Sequence, residues 1–369
     1  MIRRSYSPVV VAAIALVLGL AVNAFAQDAN AARPLFVSLP PHSYFPQTEP
    51  QAPVTPLPQW IFSFTSTVDH RVYTPTIVGT DPSTNTTTTI RWGIIPIKMV
   101  YGSQNGNMTF DPNSTYAGNM SAVQMILHSP VFQSNVDFVQ GGTDLGKTQF
   151  GDAYERGNFW GTVQTNRNYH LLFAPAVIAP TQTINVSASQ GSVIPNPFGG
   201  GLIGTMDIFA FDAQLQTIIK HFKQIQPNVL PVFLTYNVYL TQFGGCCIGG
   251  YHSATGIQPN GQTYAHTTTI SQTTHEIFSE DTGALSHEIG EWIVDPFVNN
   301  PDSCGGTMEV GDPLENKVNN GYYPYTIGGF TYHLQDLVFM PYFGAPTSTS
   351  LDGWTTFQNE AERACQDGQ

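Results

Sequence analysis

Two periods of hydrophobic residues run along this chain. Over residues 207–222 apolar side chains recur at Ile208, Phe211, Leu215, Ile218, Ile219 and Phe222, the spacing of one face of a helix. Asp207 in its first turn and Lys220 and His221 in its last suit the helix dipole. Directly afterwards Leu230, Val232, Leu234, Tyr236, Val238 and Leu240 alternate with mostly polar neighbours, which predicts a strand. Further strands are predicted over 61–73, 86–101, 170–178, 263–271 and, late in the chain, 330–343. A short helix over 121–127 stops before Ser129-Pro130. Residues 113–119, 191–204 and 244–250 read as turns and loops, and 149–160 mixes charge with aromatics without a recognisable chemistry. The order of elements predicts an α+β fold, a mixed sheet packed with helices.

One predicted helix carries unusual side chains. Ala284-Leu285-Ser286-His287-Glu288-Ile289-Gly290-Glu291-Trp292-Ile293-Val294-Asp295-Pro296 puts His287 and Glu291 four residues apart, on one face. Both can reach a single cation, with Glu288 beside them placed to hold a water. This is the spacing of the zinc-peptidase helix His-Glu-x-x-His, with glutamate replacing the second histidine. On a solvated helix the same residues would be bystanders. Leu285, Ile289, Trp292 and Ile293 argue instead for burial, and a buried His and two Glu need partners for their charge.

A third ligand is expected from Asp302-Ser303-Cys304-Gly305-Gly306-Thr307-Met308-Glu309-Val310-Gly311-Asp312-Pro313-Leu314-Glu315. Glu309 is preferred there over Asp312. Ligation by His287, Glu291 and Glu309 would neutralise a divalent ion, so Zn would acidify water less than at a two-histidine site, and Mn or Ca become alternatives. In a catalytic reading Glu288 is the general base, and His252, Tyr251 or His266 polarises the substrate carbonyl. Asp295 reads as a helix end. Calcium held by Asp302, Glu309, Asp312 and Glu315 for stability alone is a third arrangement, without the regular spacing of a calcium loop.

Composition adds an address. Arg3 and Arg4, an apolar run over 9–22 and Ala24-Phe25-Ala26 predict a signal peptide over 1–26. The run is short for a membrane span, and no later stretch is longer. Residues 27–58, rich in proline, read as an extended arm. Residues 59–369 read as one large domain whose metallopeptidase-like half covers about 205–345. Without Arg3 and Arg4 the charge is 11 − 26 = −15, which argues against nucleic acid and against an anionic membrane as partner. The expected location is secreted, extracellular or periplasmic. In that oxidising setting Cys246, Cys247, Cys304 and Cys365 suggest two disulfides. A bond between neighbours is strained, so Cys246 and Cys247 are each expected to pair with Cys304 or Cys365.

The combination of Ser286-His287-Glu288-Ile289-x-Glu291, Pro296-x-Val298-Asn299 and Glu309-Val310-x-Asp312 resembles the EXORDIUM, or phosphate-induced, family of secreted proteins. Gly250-Tyr251-His252-Ser253 and the late strand follow the family's order, and the resemblance covers roughly the last 110 residues. It implies an extracellular protein, linked in plants to growth and the cell wall, with His287, Glu288, Glu291, Glu309 and Asp312 as its site positions. This chain departs from the pattern at Asn300-Pro301-Asp302, where aromatics are expected, and at Pro313. The expectation is a secreted metal-dependent, zinc-type peptidase or related hydrolase acting on a peptide or cell-surface polymer. The alternative is a non-catalytic, wall-associated binding protein with a structural metal or none.

Overall fold

The structure, a computed structural model, describes residues 35–42, 55–117, 120–271, 281–315, 317 and 321–362. The expected signal peptide (1–26), most of the expected arm (27–58) and Cys365 lie outside these residues. The strands that concern the site are Leu35–Phe36 (β1), Thr87–Tyr101 (β2), His170–Phe173 (β3), Gly191–Pro195 (β4), Leu202–Asp207 (β5), Val229–Tyr236 (β6), Val238–Gln242 (β7), Gly245–Thr255 (β8), Gln262–Thr269 (β9), Tyr322–Ile327 (β10) and Phe330–Gln335 (β11). The helices are Ala122–Leu127 (α1), Phe150–Asn158 (α2), Trp160–Val163 (α3), Ile208–His221 (α4) and Gly283–Val294 (α5).

The fold is mixed α/β around one curled, mixed sheet. Its main path runs β3-β2-β6-β9-β8-β7-β5-β4, and β1 adds to β8. Pairing is parallel from β3 through β9 and antiparallel from β9 through β8 to β7. Strand β2 explains why both faces are covered. Its Ile90, Trp92 and Ile94 enter one core with residues of α1, α2 and α5, while Ile95, Ile97, Met99 and Tyr101 enter a second core with α4. That is the period-2 alternation of a strand buried on both sides, read as an almost continuous apolar run. On β6, Leu230, Val232 and Leu234 face the α5 side and Phe233 the α4 side.

Local signals set several boundaries. The Asp207 carboxylate accepts the Ala210 N–H at 2.9 Å and starts α4, and Ser121 with Gln124 forms a capping box on α1. Other expectations are corrected. Residues 191–204 are largely the antiparallel β4–β5 pair, and 244–250 belong mostly to β8, because main-chain pairing across the sheet overrides their glycine content. The alternating run expected as one strand breaks at Asn237, whose φ of 54° separates β6 from β7. Residues 149–160 hold α2, buried throughout. The late strand ends at Gln335. The Cys246 and Cys247 sulfurs lie against each other, where the sequence predicts each to meet Cys304 or Cys365, and Cys247 packs beside Phe198, Ile203, Tyr239 and Ile270; Cys304 sits in the loop after α5. No helix among the described residues is long and apolar enough to cross a membrane.

Candidate metal centre

Every residue of α5 is buried. Leu285, Ile289, Trp292 and Ile293 enter the main core, and the Trp292 Nε1–H donates to Thr263 Oγ1 of β9 at 2.9 Å. Burying four such side chains contributes on the order of 1.5–3 kcal/mol each. That gain offsets the desolvation of the polar residues which the helical period turns the other way, toward β8, β11 and the loop around Gly311. Ser286 starts this polar side by accepting the Gln335 N–H at 2.9 Å, which ties β11 to the helix.

His287 lies fully buried among polar partners. Its Nδ1 faces Gln335 Oε1 at 2.5 Å, and the Gln335 Nε2–H donates to the Gly311 carbonyl at 3.4 Å, which orients the amide. Since that amide oxygen only accepts, Nδ1 carries the proton. The other nitrogen, Nε2, then points at Glu291 Oε1 at 3.0 Å and Asp312 Oδ1 at 3.4 Å, without hydrogen-bond geometry to either. Glu291 Oε1 also accepts the Gly311 N–H at 3.1 Å. Gly311 lies so close that a Cβ built there would fall 2.3 Å from His287 Nδ1. Asp312 is the partly open member, its side chain 35% exposed.

A second set shares Glu291. The atoms of His252, Glu288 and Glu291 converge within 4.8 Å of one another, as do those of His287, Glu291 and Asp312. His252 Nε2 lies 3.1 Å from the Asp295 carbonyl, an acceptor, so it too carries a proton. Its Nδ1 faces Glu288 Oε2 at 3.3 Å, and the two atoms share one further proton. The second Glu288 oxygen, Oε1, is buried with no hydrogen-bond partner. It sits against Gly250 of β8, where a Cβ would come within 2.7 Å of it. Glu309 is buried, its Oε1 accepting from Thr307 Oγ1 at 3.3 Å while Oε2 has no partner.

Charge is therefore crowded. Five carboxylates (Glu288, Glu291, Asp295, Glu309 and Asp312) face two imidazoles, formally −5 + 2 = −3 if all ionise. Burial raises Glu291 well above the carboxylate range; His287 opposes this, and Glu309 and Asp312 add to it. Burial likewise raises Glu288 against the bond from His252. Asp295 is pushed up to about 7 by burial and Glu309. For His287, burial alone would lower the pKa, but Glu291 and Asp312 reverse it and hold the ring well above the histidine range. His252 follows the same logic and rises to about 10. Such groups share protons, or accept a cation in their place.

Most residues expected at the site meet there, in altered roles. His287, Glu288, Glu291, Asp312 and His252 converge, with Asp312 rather than Glu309 grouped with His287. Both His252 nitrogens are engaged inside the protein. Tyr251 and His266 face the other side of the sheet, where the Tyr251 OH donates to Asp212 and His266 pairs with Thr235. Asp302 caps its own loop by accepting the Cys304 and Gly306 amides, and Glu315 accepts the Phe36 N–H. Sequence reasoning passed over Gln335, Gly311 and Phe36, whose ring stacks on His287 at 3.4 Å. Only the glycine inside Glu309-Val310-Gly311-Asp312 offered a local signal. Compared with protein-family models, curated proteins and solved structures, the chain matches none.

Proposed function

We propose that this chain is a secreted, metal-dependent hydrolase of peptide bonds in which His287, Glu291 and Asp312 hold a divalent ion. The observation that carries this reading is His287 Nε2, fully buried and facing Glu291 Oε1 at 3.0 Å and Asp312 Oδ1 at 3.4 Å without hydrogen-bond geometry to either. A ring nitrogen and two carboxylate oxygens that share one small space call for positive charge between them, and a divalent ion there would take the place of the His287 proton. The His-Glu-x-x-Glu spacing of a zincin-like helix supports the same reading, while the resemblance to EXORDIUM proteins supports secretion and the site positions and implies no particular reaction. With two carboxylates among three ligands, Zn is joined by Mn as a candidate. Bound there, the ion would supply Lewis acidity, polarising a carbonyl and making water easier to deprotonate.

The remaining work falls to side chains. Glu288 Oε1, without a partner, is the atom that takes the proton from the attacking water and returns it to the leaving amine. His252 positions Glu288 through Oε2 and is itself held by the Asp295 carbonyl. Gln335 fixes the His287 tautomer and ring plane.

Elemental mass spectrometry on the purified protein tests the centre. About one equivalent of Zn or Mn, lost in His287→Ala, is expected. Equal metal in both proteins, or none in either, would sink the proposal. A structural ion in a non-catalytic binding protein is the second reading, favoured by the Phe36 ring lying over His287. Turnover of a peptide library that disappears in Glu288→Gln would decide for the enzyme.

A further inference from the structure

Strand β8 pairs with β9 from Gly250 to Thr255 on one side, and β7 covers only its beginning on the other. The free stretch of that second edge is taken by residues 35–42. Leu35 and Phe36 pair in parallel with Ile248 and Gly250, and His42 with Thr255. Main-chain bonds run from Leu39 N to the His252 carbonyl at 3.4 Å, from His42 N to the Ala254 carbonyl at 2.8 Å, and from Gly256 N to the His42 carbonyl at 3.0 Å. Ser253 Oγ donates to the Leu39 carbonyl at 2.9 Å, and His42 Nε2 meets Asp212 Oδ2 at 2.5 Å. At the site end the Phe36 ring lies on the His287 imidazole, 18° from coplanar, and the Phe36 N–H donates to Glu315 Oε1 at 3.0 Å.

This is strand addition to an open sheet edge, the mode by which sheets bind extended peptides through main-chain bonds with side-chain pockets for specificity. Regular pairing is short: β1 has two residues and its register slips between them. The cover over His287 is thus an aromatic side chain on a lightly paired segment, whereas the centre beneath is held by α5, β8 and β11. We propose that the β8 edge from Gly250 to Thr255 binds an extended peptide with a large apolar side chain over His287, and that residues 35–42 occupy this groove in cis as a displaceable strap. The inference rests on the hydrolase reading and names its substrate class and its control: the centre opens when the segment leaves.

The test uses the full chain with Phe36→Ala or Leu39→Asp, and a fluorescein-labelled peptide copying residues 33–44, followed by anisotropy. Wild type, its groove filled, is expected to bind the peptide weakly, and both variants about ten-fold or more tightly. The same peptide with alanine at the Phe36 position should lose about ten-fold against either variant. Equal binding by wild type and variants, or no binding by folded variants, overturns the strap. Loss of the fold in both variants overturns it too, since a segment on which the fold depends cannot leave. Co²⁺ absorbance, with His287→Ala as control, is read in parallel. Peptide binding without Co²⁺ binding leaves the groove standing and removes the metal; Co²⁺ binding without peptide binding does the reverse.

Discussion

Replacing Gly311 by alanine isolates the packing of the centre. At φ −93° and ψ −34° its backbone suits any residue, so the methyl group adds no conformational strain. It does add atoms where His287 already stands, with Cβ 2.3 Å from Nδ1, 2.6 Å from Cε1 and 2.8 Å from Cγ. Ordinary contact needs about 3.4 Å, so ring or loop must shift by about 1 Å. While residues 35–42 are seated, the ring is held by Phe36 on one face at 3.4 Å and by Gln335 at Nδ1. If the loop moves instead, Gly311 loses its bonds to Glu291 and Gln335. Overpacking of this kind costs about 1–3 kcal/mol, and each bond lost adds about 1 kcal/mol. Urea unfolding of metal-free Gly311→Ala should show a stability loss of about 2–4 kcal/mol with an unchanged m-value. Its Co²⁺ affinity should fall about ten-fold or more, since a ligand displaced by about 1 Å no longer points at the ion. Gly102→Ala is the control, with φ −70° and nothing within 4 Å of the added methyl. If Gly311→Ala unfolds within about 0.5 kcal/mol of wild type and binds Co²⁺ equally, the ring is not pinned and the geometric argument is wrong.

Two other outcomes separate the parts of the site, and a third lies across the sheet from it. Gly250→Ala pushes on Glu288 Oε1 and not on His287, so it should slow hydrolysis while Co²⁺ affinity holds. A parallel fall in both would mean that the two carboxylates do not divide base from ligand. Glu288→Gln should retain the metal and lower turnover by about 10²–10⁴, the usual worth of a general base; unaltered turnover removes Glu288 from the chemistry. On the far side of the sheet, burial lowers His266 from 6.5 to about 3, so it stays neutral in the fold but charges in the unfolded chain. Its contribution is fully present above pH 6.5 and is lost as pH falls toward 3, by about 1.4 kcal/mol per unit. Against His266→Gln, wild type should therefore lose stability faster on acidification in that window. Parallel pH curves for the two proteins would refute it.

Local chemistry was legible wherever one segment carried it all. The 3.6-residue period and Asp207 are enough for α4, β-branched and aromatic content is enough for β2, alternation is enough for β6, and Ser129-Pro130 is enough to stop α1. The same holds for His287, Glu288 and Glu291, since helical geometry alone sets residues four apart on one face. Elsewhere the local signal pointed the wrong way. Glycines over 191–204 and 244–250 suggested loops, yet their backbone groups are paired by neighbouring strands. Helix α2 was missed although Phe150, Ala153 and Tyr154 keep the helical spacing, because its nine residues include two glycines and its charged Asp152, Glu155 and Arg156 are buried as well.

What the sequence by itself determined is the helix that offers a histidine and two glutamates, together with the strands that bury it. Which groups answer them was decided by the tertiary structure. Gln335 lies 48 residues from His287, Gly311 lies 20 from Glu291, and Glu315 lies 279 from Phe36, yet each pair is in hydrogen-bond contact. Tautomer, third ligand and cover all depend on such pairs. No period or spacing encodes them, because they form only when sheet register and loop closure bring distant backbone together, and burial then makes an unpaired polar atom costly.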